Sequence, residues 1–218
     1  MKAFVFDLDG TLVTCRERQV AVALEALSGE GWPNRLDSRR FWALKRNGAT
    51  TCEALVRLGV PTAVALLAAD RWRATIEDRR WLELDRAFAD ARQAITAVRE
   101  QKMSPVILTA RRRRSLVHWQ IARLRLDSIV DEVVVVRPQH SEEEKARALE
   151  KLSAAAFVGD TELDHRSSCA VRVPFAAVSS GQRSRRFLLG RGVCDVHSRV
   201  EAATEALLAL EIHTRRRT

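Results

Sequence analysis

The chain has 218 residues and a formal net charge of +9, with 46% of its residues apolar and 30% charged. That balance suits a globular protein with a sizeable core, and no apolar run approaches the roughly 20 residues that a membrane-spanning helix needs. The four cysteines (Cys15, Cys52, Cys169, Cys194) form no Cys-x-x-Cys pair, which argues for reduced thiols over a zinc site or a disulfide framework.

The first element in the chain is an apolar strand over Ala3–Phe6. It meets Asp7 too early for a signal peptide, so the expected compartment is the cytoplasm, with no membrane partner. Roughly a hundred residues then separate this strand from the next, at Val106–Leu108, which is far too many for a single crossover. The intervening stretch has helical patterning. Val20, Leu24 and Leu27 share one face, and Thr50 with Glu53 reads as a capping box. Ala87, Ala91, Ile95 and Val98 mark a helix returning to the core, while Gly31-Trp32-Pro33-Asn34 and Gly59-Val60-Pro61 read as turns.

Beyond Val106–Leu108 the pattern alternates. Val117, Ile121 and Leu124 predict a helix, Val133–Val136 a strand, and Ser141 with Glu144 a capping box before Leu149 and Leu152. Ala155–Val158 and, more weakly, Phe175–Val178 follow as strands, and Val196, Val200, Ala203 and Leu207 suggest a terminal helix. Apolar runs of this length suit strands buried on both faces of a parallel sheet. The expected architecture is α/β, a Rossmann-like parallel sheet over residues 1–14 and 88–218, with a helical insertion over residues 15–87.

The charge excess comes from arginine, since lysine occurs only at positions 2, 45, 102, 145 and 151. A basic surface favours anionic partners, either phosphorylated metabolites or nucleic acid, although solvated arginine-rich helix faces account for it equally well. The basic tail Arg215–Arg217 belongs to the same balance.

The chemistry concentrates in Asp7-Leu8-Asp9-Gly10-Thr11, directly after the first strand. Ligands of a doubly wound sheet bind beyond the carboxyl ends of its strands. One carboxylate there can attack phosphorus while the second protonates the leaving oxygen and then activates water. A calcium loop would need further oxygen ligands after the glycine, and Thr11-Leu12-Val13 supplies none. Gly159-Asp160-Thr161-Glu162-Leu163-Asp164 repeats the setting after another strand. Carboxylates from two strand ends can converge on one hard cation. Thr109 ends the second strand, where its hydroxyl can donate to a phosphoryl oxygen.

These stretches, Phe6-Asp7-Leu8-Asp9-Gly10-Thr11-Leu12, Leu108-Thr109 and Val158-Gly159-Asp160-Thr161 with Asp164, resemble the haloacid dehalogenase-like hydrolases in order and setting. The resemblance covers most of the chain, and it matches the phosphatase type with a helical cap inserted after the first motif, as in phosphoglycolate phosphatase. It implies Asp7 as nucleophile, Asp9 as acid and base, and Thr109, Ala110 and Arg111 around the phosphoryl group. It implies magnesium held by Asp7, Asp9, Asp160 and Asp164 together with the Leu8 carbonyl. It also implies an active-site cation, for which Lys145 is the first choice and Arg137 the rival. Lys45 and Arg46 are candidates for recognising the rest of a small phosphorylated substrate.

Arg111 to Arg114 open a helix, where cations are disfavoured by its dipole, and a bound substrate anion would relieve that conflict. The expected function is magnesium-dependent hydrolysis of a phosphate monoester through an aspartyl-phosphate. A phosphomutase or a polynucleotide-end phosphatase would use the same core residues. A non-enzymatic alternative is a basic nucleic-acid-binding protein on this fold, which predicts salt-sensitive binding without turnover.

Overall fold

The computed structural model of the protein describes residues 1–33 and 35–215, so Asn34 and the tail residues Arg216 and Arg217 lie outside the described residues. Six strands form one sheet: β1 (Ala3–Phe6), β2 (Ser104–Ala110), β3 (Glu132–Val136), β4 (Ala154–Gly159), β5 (Phe175–Val178) and β6 (Val196–His197). All neighbours pair in parallel, in the order β3-β2-β1-β4-β5-β6. This is the Rossmann order, and its direction reverses between β1 and β4.

Helices α1 (Arg16–Gly29), α2 (Ser38–Arg46), α3 (Thr51–Arg57), α4 (Thr62–Thr75) and α5 (Arg79–Leu82) lie between β1 and the helix that leads into β2, α6 (Ala91–Glu100). The remaining helices are α7 (Arg114–Arg123), α8 (Ser141–Lys151), α9 (Glu162–Ala170), α10 (Arg185–Gly190) and α11 (Val200–Arg215). Strand β1 is buried on both faces, which is why it reads as continuous apolar sequence. Phe4 and Phe6 point into a cluster with Ile95 of α6, Ile121 of α7 and Ala203 of α11. Ala3 and Val5 point the other way, into a cluster with Leu149 of α8 and Phe157. Helices therefore cover both faces of the sheet.

The insertion has its own apolar cluster, including Leu27, Phe41, Leu55 and Ala65. The capping box at Thr50 and Glu53 forms there, with the Thr50 N–H donating to Glu53 at 2.8 Å and the Glu53 N–H to Thr50 at 3.2 Å. A chain segment returns beside the first motif as Val13 bridges Ala87.

Three local expectations change. Val196 lies in β6, and the terminal helix begins only at Val200, because the chain first adds a two-residue edge strand to β5. Ser141 and Glu144 do not cap α8: a 3-10 turn over Pro138–His140 moves the N-cap to His140 and places Ser141 inside the helix. The Glu144 carboxylate accepts the Arg137 N–H instead, at 2.7 Å. Finally, α1 buries Arg18, Gln19, Val22, Ala23, Ala26 and Leu27, so of the expected face Leu27 is fully buried while Val20 and Leu24 are half-buried at its edge. It packs against α4 on one side and reaches the first motif on the other.

Candidate active site

The site lies at the carboxyl ends of β1 and β4, where the strand order reverses. Asp7 still belongs to the ladder, its N–H donating to the Val158 carbonyl at 2.8 Å. The chain then turns at Gly10, whose φ of 84° favours glycine. The N–H groups of Leu12 and Val13 both reach the Leu8 carbonyl at 3.0 Å, with Thr11 at 3.3 Å. That carbonyl is consumed by the turn, which corrects the expectation that it faces a metal. From β4, Gly159 delivers Asp160, and Thr161 caps α9. Asp164 accepts from the Thr161 N–H at 3.1 Å and from its hydroxyl at 2.6 Å, so its carboxylate is held by the capping box itself.

Asp7, Asp160 and Asp164 each present a carboxylate oxygen within 4.8 Å of the others, and all three are buried. Lys145 of α8 donates to Asp7 at 2.6 Å and to Asp164 at 2.5 Å. Burial raises the Asp7 carboxyl to about 7 even with Lys145 beside it, and the charge of Asp164 adds to the rise. Burial and then the charges of Asp7 and Asp164 push Asp160 well up. Burial works against the charge of Lys145, but its two carboxylates override that and hold its ammonium above the ordinary range. One ammonium thus pairs with two of the three carboxylates, and the cluster is short of positive charge.

The donor set fits a hard cation. Asp160 Oδ2 accepts the Gln182 N–H at 2.5 Å, while Asp160 Oδ1 is buried with no hydrogen-bond partner. An orphaned carboxylate oxygen inside a three-carboxylate cluster is a natural ligand position, since such a group is costly to leave unpaired. Two glycines make the room: a Cβ on Gly10 would stand 2.0 Å from Asp160 Oδ2, and one on Gly181 2.1 Å from it.

Asp9 stands outside this carboxylate cluster. Arg111 holds it with two bonds, Nε to Oδ2 at 2.5 Å and Nη2 to Oδ1 at 2.6 Å, and Arg18 Nη2 also donates to Oδ1. Burial would raise the Asp9 carboxyl, but the Arg111 and Arg18 charges override it and bring it down to about 2. The side chain expected among the metal ligands is therefore bonded by two guanidinium groups and is not one of the three clustered carboxylates. Asp9 lines a cavity of about 380 Å³ together with Arg18, Trp72, Glu77, Ala110 and Arg111.

The other expected residues scatter. Thr109 lies near the end of β2, two residues beyond the pairing of Phe6 with Ile107, and is buried. Arg137 is 75% exposed and pairs with Glu144 at 2.6 Å rather than with the carboxylates that Lys145 joins. Lys45 lines a neighbouring cavity, donates to Thr51 at 3.1 Å and lies 5.0 Å from the Trp72 ring centre. Burial and the charge of Arg183 lower its ammonium to about 8. Arg46 donates to the Ser179 and Arg183 carbonyls, fastening the end of α2 to the loop after β5. Neither Lys45 nor Arg46 lines the cavity that contains Asp9.

The basic run at α7 does meet an anion, but one from the chain. Glu77 accepts the N–H groups of Arg112 and Arg113, each at 3.0 Å. Sequence reasoning missed Arg18, Glu77, Asp85, Gln120 and Gln182. Arg18 had a signal: its i+4 neighbour Val22 is buried, and a charge on a buried helix face calls for a partner.

Fold and site together define an α/β protein of Rossmann strand order with a carboxylate cluster, able to hold a metal ion, at its switch point. A family model described as haloacid dehalogenase-like hydrolase matches residues 1–166, and the chain belongs to that family. No curated protein matches it. Among solved structures it is similar to a "predicted phosphatase" from Clostridium acetobutylicum, at 17% identity over 95% of this chain and 98% of that one, with a TM-score of 0.74. A "predicted phosphoglycolate phosphatase" from Haemophilus somnus shares 14% identity over 94% and 97% of the two chains, TM-score 0.70. A haloacid dehalogenase-like protein from Streptococcus pneumoniae shares 17% over 96% and 98%, TM-score 0.72. At these identities the likeness concerns the fold. No helix among the described residues is long and apolar enough to cross a membrane.

Proposed function

We propose that this protein is a magnesium-dependent phosphatase that hydrolyses the phosphate monoester of a small metabolite, with Asp7 as nucleophile. The observation that carries the reading is the cluster itself: Asp7, Asp160 and Asp164 within 4.8 Å, with one buried lysine bridging Asp7 and Asp164. Structural neighbours named for phosphatase activity support the same reaction class. Asp7 and Asp160 would hold the magnesium ion, with Asp164 beside them. When bound, the ion neutralises charge on the phosphoryl oxygens, which is where phosphoryl-transfer catalysis resides.

Asp7 attacks phosphorus in line, and the bond to the leaving oxygen breaks as an aspartyl-phosphate forms. Lys145 holds the attacking carboxylate in place and offsets equatorial charge, and Thr109 donates to a phosphoryl oxygen. Asp9 protonates the leaving oxygen, then takes a proton from the water that attacks phosphorus and frees Asp7 and inorganic phosphate. With Asp9 held ionised, the arrangement meets the second of these needs as it stands. To protonate the leaving oxygen, Asp9 first takes a proton from solvent on Oδ2, which accepts only one donor, and passes it on as the bond to phosphorus breaks.

Residues 15–87 act as a helical cap on a core of residues 1–14 and 88–218, excluding bulk water and selecting the leaving group. The test is phosphate release with magnesium over sugar phosphates, nucleotides, phosphoglycolate and 5′- or 3′-phosphorylated oligonucleotides. The proposal expects turnover of at least one small phosphate and none by Asp7→Asn. Absence of release from all of them, or undiminished release by Asp7→Asn, would refute it.

A further inference from the structure

Five side chains form a closed ring around Asp9. Arg18 Nη2 donates to Asp9 Oδ1, and Arg18 Nε donates to Asp85 at 3.1 Å. Asp85 accepts Gln120 Nε2 at 2.7 Å, and Gln120 Oε1 accepts Arg111 Nη2 at 3.5 Å. Arg111 closes the ring on both oxygens of Asp9, at 2.5 and 2.6 Å. Two guanidinium groups, two carboxylates and one amide sum to no net charge, so the ring is stable inside the protein where a lone member would not be.

The ring joins parts of the chain that are otherwise separate. Arg18 lies in the first turn of α1, and its Nη1 donates to the Ile76 carbonyl just after α4. Asp85 sits on the segment returning to α6, where Arg123 of α7 grips its main-chain carbonyl at 2.5 Å. Gln120 belongs to α7, and Arg111 follows β2. Asp9, Arg18 and Arg111 line the cavity, and Asp9 is the most exposed of them: its side chain is 14% exposed, against 4% for Arg18, 5% for Arg111 and 1% for Asp85. Asp9 Oδ1 accepts two donors and Oδ2 only one, and no other described residue donates to either. The ring thereby fixes the carboxylate plane and leaves an acceptor position on Oδ2.

We infer that Arg18 and Asp85 are positioning residues for Asp9, and that through them the packing of the inserted helices sets which Asp9 oxygen faces the substrate. The inference rests on the phosphatase reading for its catalytic consequence, but the ring's mechanical coupling can be measured without turnover. Asp85 reaches the cavity only through Arg18 and Gln120, so any effect of Asp85 on turnover travels along the ring.

The test has two arms on the full chain. In the first, kcat and KM for the best phosphate ester are measured for the wild type, Arg18→Ala, Asp85→Asn and the double variant. The expected result is a fall in kcat of at least about tenfold in each single variant with KM within about threefold, and a double variant scarcely worse than the worse single one. Free guanidinium should partly restore kcat to Arg18→Ala and leave Asp85→Asn unaffected. In the second arm, hydrogen exchange of residues 83–90 is followed in the wild type and in Asp9→Asn, which does not touch that segment. Exchange there should rise several-fold.

A wild-type kcat in Arg18→Ala, or additive losses in the double variant, overturns the catalytic coupling. Unchanged exchange at residues 83–90 in Asp9→Asn overturns the ring as a mechanical link, whether or not phosphate is released. A wild type that releases no phosphate while exchange responds as expected counts against the phosphatase reading and upholds the link.

Discussion

Replacing Lys145 by Met should do three things at once, and their combination is diagnostic. The substitution keeps most of the side-chain volume and removes one buried ammonium that bonds Asp7 at 2.6 Å and Asp164 at 2.5 Å. Breaking a buried ion pair by removing one partner costs about 3–5 kcal/mol. Some of that loss is recovered as the stranded carboxylates bind protons, because each unit of upward pKa shift limits the charged state by about 1.4 kcal/mol. For a chain of this size each kcal/mol moves the melting temperature by about 2–4 °C, so in chelator the variant should melt on the order of 10 °C lower. Turnover should fall by about 10²–10³, the usual consequence of deleting one group aimed at transition-state charge. Magnesium affinity should move the other way and tighten, since three carboxylates then face the ion without a competing cation. Differential scanning fluorimetry with and without magnesium, and titration calorimetry, read these effects. An unchanged melting temperature in chelator with kcat within threefold of wild type would refute the reasoning.

The acidic cluster also predicts a pH signature. The Asp7 carboxyl is raised to about 7 in the folded protein, and Asp160 is raised as well. A folded state that binds more protons than the unfolded one loses stability as pH rises, here from the unfolded carboxylate range near 4 up to about 7. Magnesium needs the same carboxylates ionised, so the gap between melting temperatures in magnesium and in chelator should widen from pH 5 to 8; a constant gap would contradict this. Gly181→Ala would place a Cβ 2.1 Å from Asp160 Oδ2 and 2.4 Å from the Gly10 carbonyl, so magnesium binding should weaken at least about tenfold by calorimetry. Glu77→Leu leaves the Arg112 and Arg113 N–H groups without their acceptor and should cost about 2–3 kcal/mol in urea unfolding.

The parallel core was legible because its strands are buried on both faces and read as unbroken apolar runs. Ala3–Phe6 is β1 residue for residue, and the other three strong runs fall inside longer strands. β6 was not legible: Val196 and His197 make a two-residue edge strand with no apolar run to mark it, and Val196 fits the helical spacing of α11 equally well. Pro138 carried a signal that the Ser141 and Glu144 spacing hid, since a proline-started turn shifts the helix cap by one residue.

The site divides along similar lines. Asp7, Asp160 and Asp164 follow strands, so their convergence was implied by topology. Lys145 reaches them from α8, and its burial separates it from the exposed Arg137. The surroundings of Asp9 were opaque, because Arg18, Asp85 and Gln120 meet only through how the insertion packs on the core. No spacing along the chain encodes contacts between residues 67 or 35 positions apart. Lys45 and Arg46 illustrate the converse: being basic and in the insertion does not bring them to the Asp9 cavity.

The most direct test of the central claim is to trap the covalent intermediate. Enzyme turning over its best phosphate ester in magnesium is quenched in acid, digested and examined by mass spectrometry. The account predicts a phosphoryl adduct on the peptide containing Asp7, located on Asp7 by fragmentation, and none from Asp7→Asn. Turnover with an adduct on a different residue, or an adduct that survives in Asp7→Asn, would contradict it.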